Sequence, residues 1–321
     1  MSTSSVPNLV TTTVSASSAP ASTMEASTLR QAVLGRISDY SILTKPRIAV
    51  LVLLTVTAGF TLASAERWNS QLLMHALFGI TLVAGASASL NQFVERHSDG
   101  RMRRTANRPL PAGRLSPTEV LLFGIIVGGT GVLYLAVFVN LLTSALALLT
   151  LLLYAAVYTP LKRSSTLSTA VGAIPGALPP VLGWAAANDS LGVGAFGLFG
   201  ILFLWQFPHF LAIGWIYRDD YARAGLKMLP LDGKAPRVVG VLTVGYSLAL
   251  LPLSLHPSLC GLAGAGYGVV AVILGLGYVA ASLRFAFAES THTARGLLWA
   301  SLAYLPLLLS YLVWDHWRLL S

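Results

Sequence analysis

Long apolar segments separated by short polar or charged clusters recur along most of the 321-residue chain. A segment of about 18 or more apolar residues is long enough to cross about 30 Å of hydrocarbon as a helix. The pattern therefore predicts an all-α integral membrane bundle, because helices satisfy their own backbone hydrogen bonds inside lipid. The nine predicted spans are residues 47–65, 71–94, 118–139, 141–159, 168–187, 191–216, 237–255, 260–283 and 294–314.

Composition excludes an ordinary soluble domain. Hydrophobic residues make up 55% of the chain and charged residues only 10%, whereas a soluble domain is about a quarter charged. The single cysteine, Cys260, excludes an internal disulfide and a cysteine-rich metal site. We interpret Cys260 as a small apolar residue in the eighth span.

The basic residues are distributed asymmetrically. The net charge is +9, and 19 of the 21 lysines and arginines precede the first span or follow even-numbered spans, whereas Arg67 and Arg318 fall on the opposite face. The positive-inside rule then predicts a cytoplasmic N-terminus and a periplasmic C-terminus. No sequence pattern typical of nucleic-acid binding accompanies the charge. The lipid bilayer is the predicted partner of this surface, and nucleic acid is not.

The N-terminal segment differs in composition from the rest. Residues 1–29 contain 14 serines and threonines and no lysine or arginine. We predict a disordered cytoplasmic tail over residues 1–39 and one membrane domain over residues 40–321. The missing arginines disfavour a mitochondrial transit peptide and favour a multi-pass protein of the bacterial inner membrane.

A first polar cluster follows the second predicted span, in the stretch NQFVERHSDGRMRRTANRPLPAG. Asn91, Glu95 and Asp99 are spaced four residues apart, so a helix running through them places their oxygens on one face within about 12 Å. Such oxygens suit Mg²⁺, which takes one or two carboxylates together with substrate phosphates. Solvation of a helix end and a topology signal would also explain these charges. Nearby bidentate donors for phosphate are Arg101, Arg103, Arg104 and Arg108.

A second cluster follows the sixth span, in the stretch WQFPHFLAIGWIYRDDYARAGLKMLP. Asp219 and Asp220 lie near Lys227 on the same predicted membrane side as the first cluster, so the two clusters together predict a site for metal and diphosphate. Trp205 and His209 lie deeper in the span, where a histidine either bonds a neighbouring helix or contacts a substrate. The same side also carries Lys45, Tyr158 and Lys162, which are membrane anchors or phosphate ligands.

These stretches, together with LTKPRI, YTPLKRSS and GAIPGALPPVLGW, resemble the UbiA superfamily of intramembrane prenyltransferases over about residues 40–315. Within the superfamily they are most similar to the subfamily that farnesylates haem. The resemblance implies a nine-helix bundle enclosing a lipid-accessible chamber. It also implies an enzyme that uses Mg²⁺ and joins farnesyl diphosphate to a vinyl group of haem B, giving haem O for terminal oxidases. A haem A synthase is the partner implied for product transfer.

The resemblance also implies roles for individual residues. Asn91, Glu95, Asp99, Asp219 and Asp220 are the implied metal ligands, and His209 is implied to face the haem. The implied contacts to substrate are Lys45, Arg103, Arg104, Arg108, Tyr158, Lys162, Trp205 and Lys227.

The two acidic clusters each depart from the family pattern. Glu95 stands where the family usually has aspartate, and Asp219 and Asp220 are adjacent instead of four residues apart. Three alternatives remain open on the sequence: a relative that prenylates a quinone or chlorophyll precursor, a polytopic transporter, and a structural assembly factor. A transporter would place charge near the bilayer midplane, and an assembly factor would not depend on either acidic cluster.

Overall fold

A computed structural model describes residues 21–64, 68–228 and 237–321, with side chains from Arg30 onward. A π-helical segment, Leu153–Tyr158, joins α5 to α6. The α-helices are α1 Ala21–Thr44, α2 Pro46–Ser64, α3 Ser70–Asp99, α4 Pro117–Phe138, α5 Leu141–Leu152, α6 Thr159–Leu161, α7 Ser168–Ala177, α8 Pro179–Asn188, α9 Val193–Ile216, α10 Arg218–Arg223, α11 Val238–Ser254, α12 His256–Leu259, α13 Ala265–Phe287 and α14 Thr291–Leu320.

Within these ranges, nine helical segments are long and apolar enough to cross a membrane. Three of them are composite: α5 with the π-helical segment and α6, α7 with α8, and α11 with α12. The predicted all-α membrane bundle is confirmed. Large apolar side chains such as Val137, Phe196 and Phe287 point outward and are mostly exposed, as expected for helices whose solvent is lipid.

The interior consists mainly of two hydrophobic cores. One core is formed chiefly by α9, α11, α13 and α14, and its largest buried side chains include Tyr267, Tyr278 and Tyr304. The other is formed chiefly by α2, α3 and α8, with contributions from α4 and α5. The two cores meet along α8, which contributes Val181 to the first and Leu182 to the second.

The structure differs from the sequence prediction at residues 21–39, which form most of α1 instead of a disordered tail. Contacts remote in sequence hold this helix: Arg36 pairs with Glu119 at 3.1 Å, and Asp39 pairs with Arg114 at 2.7 Å. Residues 1–20 lie outside the described residues, as does Arg67.

Cys260 is also placed differently from the prediction. It is exposed at the end of α12, in the connection between the seventh and eighth spans. The chain turns at Gly261, whose φ is +77°, and the eighth span begins only at Ala265. Gly261 tolerates this left-handed turn because it has no Cβ.

Helices α2 and α8 approach each other at two glycines. A Cβ placed on Gly59 would lie 1.9 Å from the carbonyl oxygen of Pro180, and one on Gly183 would lie 1.9 Å from that of Val56. Small residues at helix crossings allow such close backbone contact in membranes. The contact fixes the packing of α2, which follows Lys45, against α8, which precedes α9.

We therefore expect Gly183→Ala to destabilise the protein by about 1–3 kcal/mol, because the new methyl group collides with backbone that cannot rotate away. Thermal unfolding of the detergent-solubilised protein would measure the change. Gly277→Ala is the matched control, since a Cβ there meets nothing within 4 Å. Equal melting temperatures for the two variants would contradict the close contact.

Candidate functional site

The oxygen-bearing residues predicted from the first cluster lie on one helix. Helix α3 continues through Asp99 before a turn begins at Gly100, so the four-residue spacing places Asn91, Glu95 and Asp99 on one face. All three are buried, with exposed fractions of 1%, 7% and 0%. Charged and amide groups in such surroundings need polar partners.

Each of the three accepts a hydrogen bond from a basic side chain of another segment. Lys45 donates to Oδ1 of Asn91 at 3.0 Å. Lys162 donates to Oε1 of Glu95 at 2.7 Å, and Arg108 donates to Oδ2 of Asp99 at 2.6 Å. The structure therefore brings together the first acidic motif and three of the predicted diphosphate ligands.

Lys45 occupies an unusual position between two helices. Its φ is +52°, a left-handed conformation that costs a non-glycine residue about 1 kcal/mol or more. Pro46 then starts α2 with a favourable first helical residue. Burial lowers the pKa of Lys45 to about 8, and the nearby Arg108 adds to the shift. The strained break thus places a partly buried amine in a cationic environment.

Lys162 is held by groups that favour its charge. Its ammonium lies 4.2 Å from the centre of the Tyr158 ring, a distance at which the ring face attracts a cation. Burial alone would lower the pKa of Lys162, but Tyr158 and Glu95 outweigh it and raise the pKa above its usual range. Tyr158 ends the π-helical segment, a kind of distortion that is frequent at functional sites.

Thr159 is a part of the site that sequence reasoning missed. Its hydroxyl donates to the carbonyl of Tyr154 at 2.7 Å, so its oxygen is left to accept from Nδ2 of Asn91 at 3.1 Å. This pair of bonds fixes which end of the Asn91 amide faces Lys45. The carbonyl oxygen is presented to the basic group, and the NH₂ group points to the helix behind it.

One oxygen of Asp99 fits a metal ion. Among the described residues, Oδ1 is buried without a hydrogen-bond partner, whereas Oδ2 accepts from Arg108. A cation would satisfy this oxygen, and with Asn91 and Glu95 it forms a ligand set suited to Mg²⁺. In the described ranges no three His, Cys, Asp or Glu side chains converge on a metal position. Phosphate oxygens would therefore have to complete the coordination.

The second cluster is placed less deeply. Asp219 has 82% of its side chain exposed and lies 3.9 Å from Arg218, whereas Asp220 is 18% exposed and accepts from Arg223. Both lie in the first turn of α10. The local geometry favours Asp220 over Asp219 as the inward-facing carboxylate.

Contacts between loops bring the two clusters to the same end of the bundle. Arg104 lies 4.6 Å from the ring centre of Tyr217 and donates to the hydroxyl of Tyr221 at 3.4 Å. The backbone NH of Lys227 donates to the carbonyl of Lys162 at 2.8 Å. The side chains of Lys227 and Arg103, both predicted substrate ligands, are exposed.

Trp205 and His209 lie elsewhere, against α14. The ring of His209 stacks on Trp205 at 4.9 Å between centres. Trp205 donates to the carbonyl of Ser301 at 2.9 Å, and Nδ1 of His209 lies 2.8 Å from the Ser301 hydroxyl. Trp205, His209 and Ser301 therefore form a polar cluster between α9 and α14, separate from the charged end of the bundle.

The family pattern and two curated relatives both point to prenyltransferases. The sequence pattern of the UbiA prenyltransferase family matches residues 52–303. Protoheme IX farnesyltransferase of Solibacter usitatus is 44% identical over 287 residues, covering 87% of this chain and 98% of its own. The protein of the same name from Koribacter versatilis is 44% identical over 299 residues, covering 89% and 96%.

Solved structures share the fold at low identity. A structure of digeranylgeranylglyceryl phosphate synthase aligns with a TM-score of 0.75 at 14% identity, covering 88% of this chain and 99% of its own. A UbiA homologue from Archaeoglobus fulgidus bound to GPP and Mg²⁺ aligns with a TM-score of 0.63 at 15% identity, covering 86% and 99%. At these identities the likeness concerns the fold alone.

The Thr159 contact generates a prediction. On the prediction that Asn91 is a metal ligand, we expect Thr159→Val to raise the Mg²⁺ concentration needed for half-maximal activity by about 10–100-fold, because removing a partner that orients such a ligand has effects of this size. Thr159→Ser should restore the wild-type value. Magnesium titrations of activity would measure the shift, and an unchanged Mg²⁺ requirement in Thr159→Val would contradict it.

Proposed function

Because the chain belongs to the UbiA prenyltransferase family, we propose that it transfers the farnesyl group of farnesyl diphosphate to a vinyl group of haem B. The products are haem O and diphosphate. The main structural support is the row of three buried oxygen-bearing residues on α3, each paired with a basic side chain at one end of the bundle. Relatives at 44% identity over nearly their whole length carry the corresponding name.

The basic side chains would bind the diphosphate. Lys45, Lys162 and Arg108 approach the polar row on α3 from three segments. Three basic groups therefore accompany two carboxylates and one amide. Arg104, which joins the two loops through Tyr217 and Tyr221, is a further proposed diphosphate ligand. Fixed positive charge in a buried site stabilises the negative charge that develops on a leaving group.

The residues present also fit a magnesium ion. Asn91, Glu95 and Asp99 would hold an ion at the first cluster and Asp220 one at the second, with phosphate oxygens completing the coordination because no three carboxylates converge in the described ranges. When bound, Mg²⁺ would supply additional stabilisation of the departing diphosphate. Glu95 stands where the family usually has aspartate, and its longer side chain accepts a hydrogen bond from Lys162.

The proposed reaction breaks the bond between the first farnesyl carbon and the diphosphate oxygen, and the electron pair leaves with diphosphate. The vinyl group of haem B then supplies two electrons to form the new carbon–carbon bond. Water adds to the resulting cation and loses a proton, giving the hydroxyl group of haem O. The apolar helices exclude bulk water, so that the farnesyl cation meets the vinyl group first.

An assay with purified protein, haem B, farnesyl diphosphate and Mg²⁺ would test this function, with farnesylated haem detected by mass. An aromatic quinone precursor replaces haem B in a parallel reaction, which distinguishes the alternative acceptor. Absence of farnesylated haem from the folded protein would overturn the proposal.

We expect Lys162→Met to lower kcat by about 10²–10³-fold, the usual loss when one fixed donor to a developing anion is removed. Asp220→Asn should lower activity more than Asp219→Asn, because Asp219 is largely exposed. Steady-state kinetics of the three folded variants would measure these effects. A larger loss in Asp219→Asn than in Asp220→Asn would contradict the assignment of the second cluster.

We further propose that the protein lies in the bacterial inner membrane with its N-terminus and charged end in the cytoplasm. Product transfer to a haem A synthase follows from the proposed activity and belongs to the same proposal. The positive-inside distribution supports the orientation. The exposed Cys260 lies at the opposite end of the seventh span from the charged loops.

The single cysteine makes the orientation measurable. We expect a membrane-impermeant maleimide to label Cys260 in intact spheroplasts, because the connection that carries it would face outward. The double variant Cys260→Ser with Ala112→Cys moves the thiol to an exposed turn at the charged end, and it should be labelled only after lysis. The reverse pattern would show that the orientation is inverted.

A further inference from the structure

His209 is held by a residue from a distant part of the chain. Its Nδ1 lies 2.8 Å from the hydroxyl oxygen of Ser301 on α14. Ser301 is fully buried, whereas His209 is only partly buried. The contact joins two helices whose residues are 92 positions apart, so the sequence pattern around WQFPHF gives no indication of it.

The hydrogen bonds of Ser301 favour one tautomer of the histidine. A serine hydroxyl has one hydrogen and two acceptor lone pairs. Ser301 donates its hydrogen to the carbonyl of Leu298 at 2.6 Å, so its oxygen is left to accept from His209. Nδ1 of His209 therefore carries the hydrogen, and Nε2 of the neutral ring carries a free lone pair.

The surrounding residues fix the position of this pair. Trp205 stacks on the His209 ring, and its indole NH donates to the backbone carbonyl of Ser301. Tyr278 donates to the carbonyl of Trp205 at 3.1 Å from α13. The imidazole is thus oriented by Trp205 on its own helix and by Ser301 on α14, while Tyr278 on α13 holds the neighbouring backbone of α9. Among the described residues, Nε2 receives no hydrogen bond.

We propose that Ser301 is a positioning residue that holds neutral His209 in the Nδ1–H tautomer and so presents Nε2 as an electron-pair donor to the iron of the haem substrate. The role of the haem rests on the proposed function, whereas the tautomer rests on the hydrogen bonds alone. A hydrogen bond to the far nitrogen is how proteins commonly orient an iron- or zinc-binding histidine.

The tautomer can be measured without any substrate. Protein labelled with ¹⁵N-histidine would give ring-nitrogen signals in which protonated and unprotonated nitrogens differ, and His209→Gln identifies the His209 pair. We expect a protonated Nδ1 and an unprotonated Nε2 in the wild type and in Ser301→Thr, with a shift toward the other tautomer in Ser301→Ala. A protonated Nε2 in the wild type would overturn the proposal even if Ser301→Ala fails to fold.

Haem titration tests the consequence. We expect Ser301→Ala to weaken the binding of ferric haem B by about tenfold or more and to reduce the absorbance signature of nitrogen-coordinated iron. Ser282→Ala is the matched control, because Ser282 is equally buried but bonds to Ser247. Wild-type haem affinity in Ser301→Ala would overturn the positioning role. Failure of the wild type to bind haem would instead count against the proposed function and leave the tautomer measurement intact.

Discussion

The burial of charge on α3 is the constraint on which the charged end of the protein depends. Glu95 and Asp99 are nearly inaccessible to solvent, and an unpaired buried charge costs several kcal/mol. Their partners come from two separate places: Lys162 follows α6, and Arg108 lies in the loop after α3. The ion pairs therefore tie the loops to the helix, and their geometry is determined by the fold as a whole.

The same ion pairs allow Lys162 and Arg108 to exchange a carboxylate partner for the diphosphate of a bound substrate. Lys162 and Arg108 neutralise carboxylates in the absence of a ligand, and an arriving diphosphate offers them a second anion. A magnesium ion would take over the carboxylate oxygens at the same time, beginning with the unpaired Oδ1 of Asp99. Both carboxylates therefore have a positive partner before and after this exchange. Such an exchange of partners lets a low-dielectric site bind a highly charged ligand without leaving a buried carboxylate unpaired.

Much of this end of the molecule followed from local sequence rules. The four-residue spacing of Asn91, Glu95 and Asp99 predicts a shared helix face, and α3 continues far enough to provide it. The partners of these residues were less accessible to prediction. Thr159 lies 68 positions from Asn91, and its role depends on how the chain packs.

Two further differences between the sequence prediction and the structure also arise from tertiary contacts. The sequence predicts that residues 21–39 are part of a tail, yet they belong to α1, whose C-terminal part forms salt bridges through Arg36 and Asp39 to residues in and near α4. Ser301 is one small polar residue in an apolar span, and its contact with His209 depends on the packing of α14 against α9. Periodicity reports the face of a helix, whereas the neighbour on that face is set by tertiary structure.

The separation between the charged end and His209 is consistent with the size and chemistry of the proposed acceptor. The new bond forms at the farnesyl carbon next to the diphosphate, so the reacting vinyl group must lie near the charged end. His209 lies seven residues before the end of α9 at Ile216, about 10 Å deeper in the bundle. The vinyl groups lie at the edge of a porphyrin and the iron at its centre. A haem that extends inward from the diphosphate would therefore bring its iron toward His209. The charged end of the site would then position the carbon–oxygen bond that breaks, and the region around His209 would position the porphyrin that receives the farnesyl group.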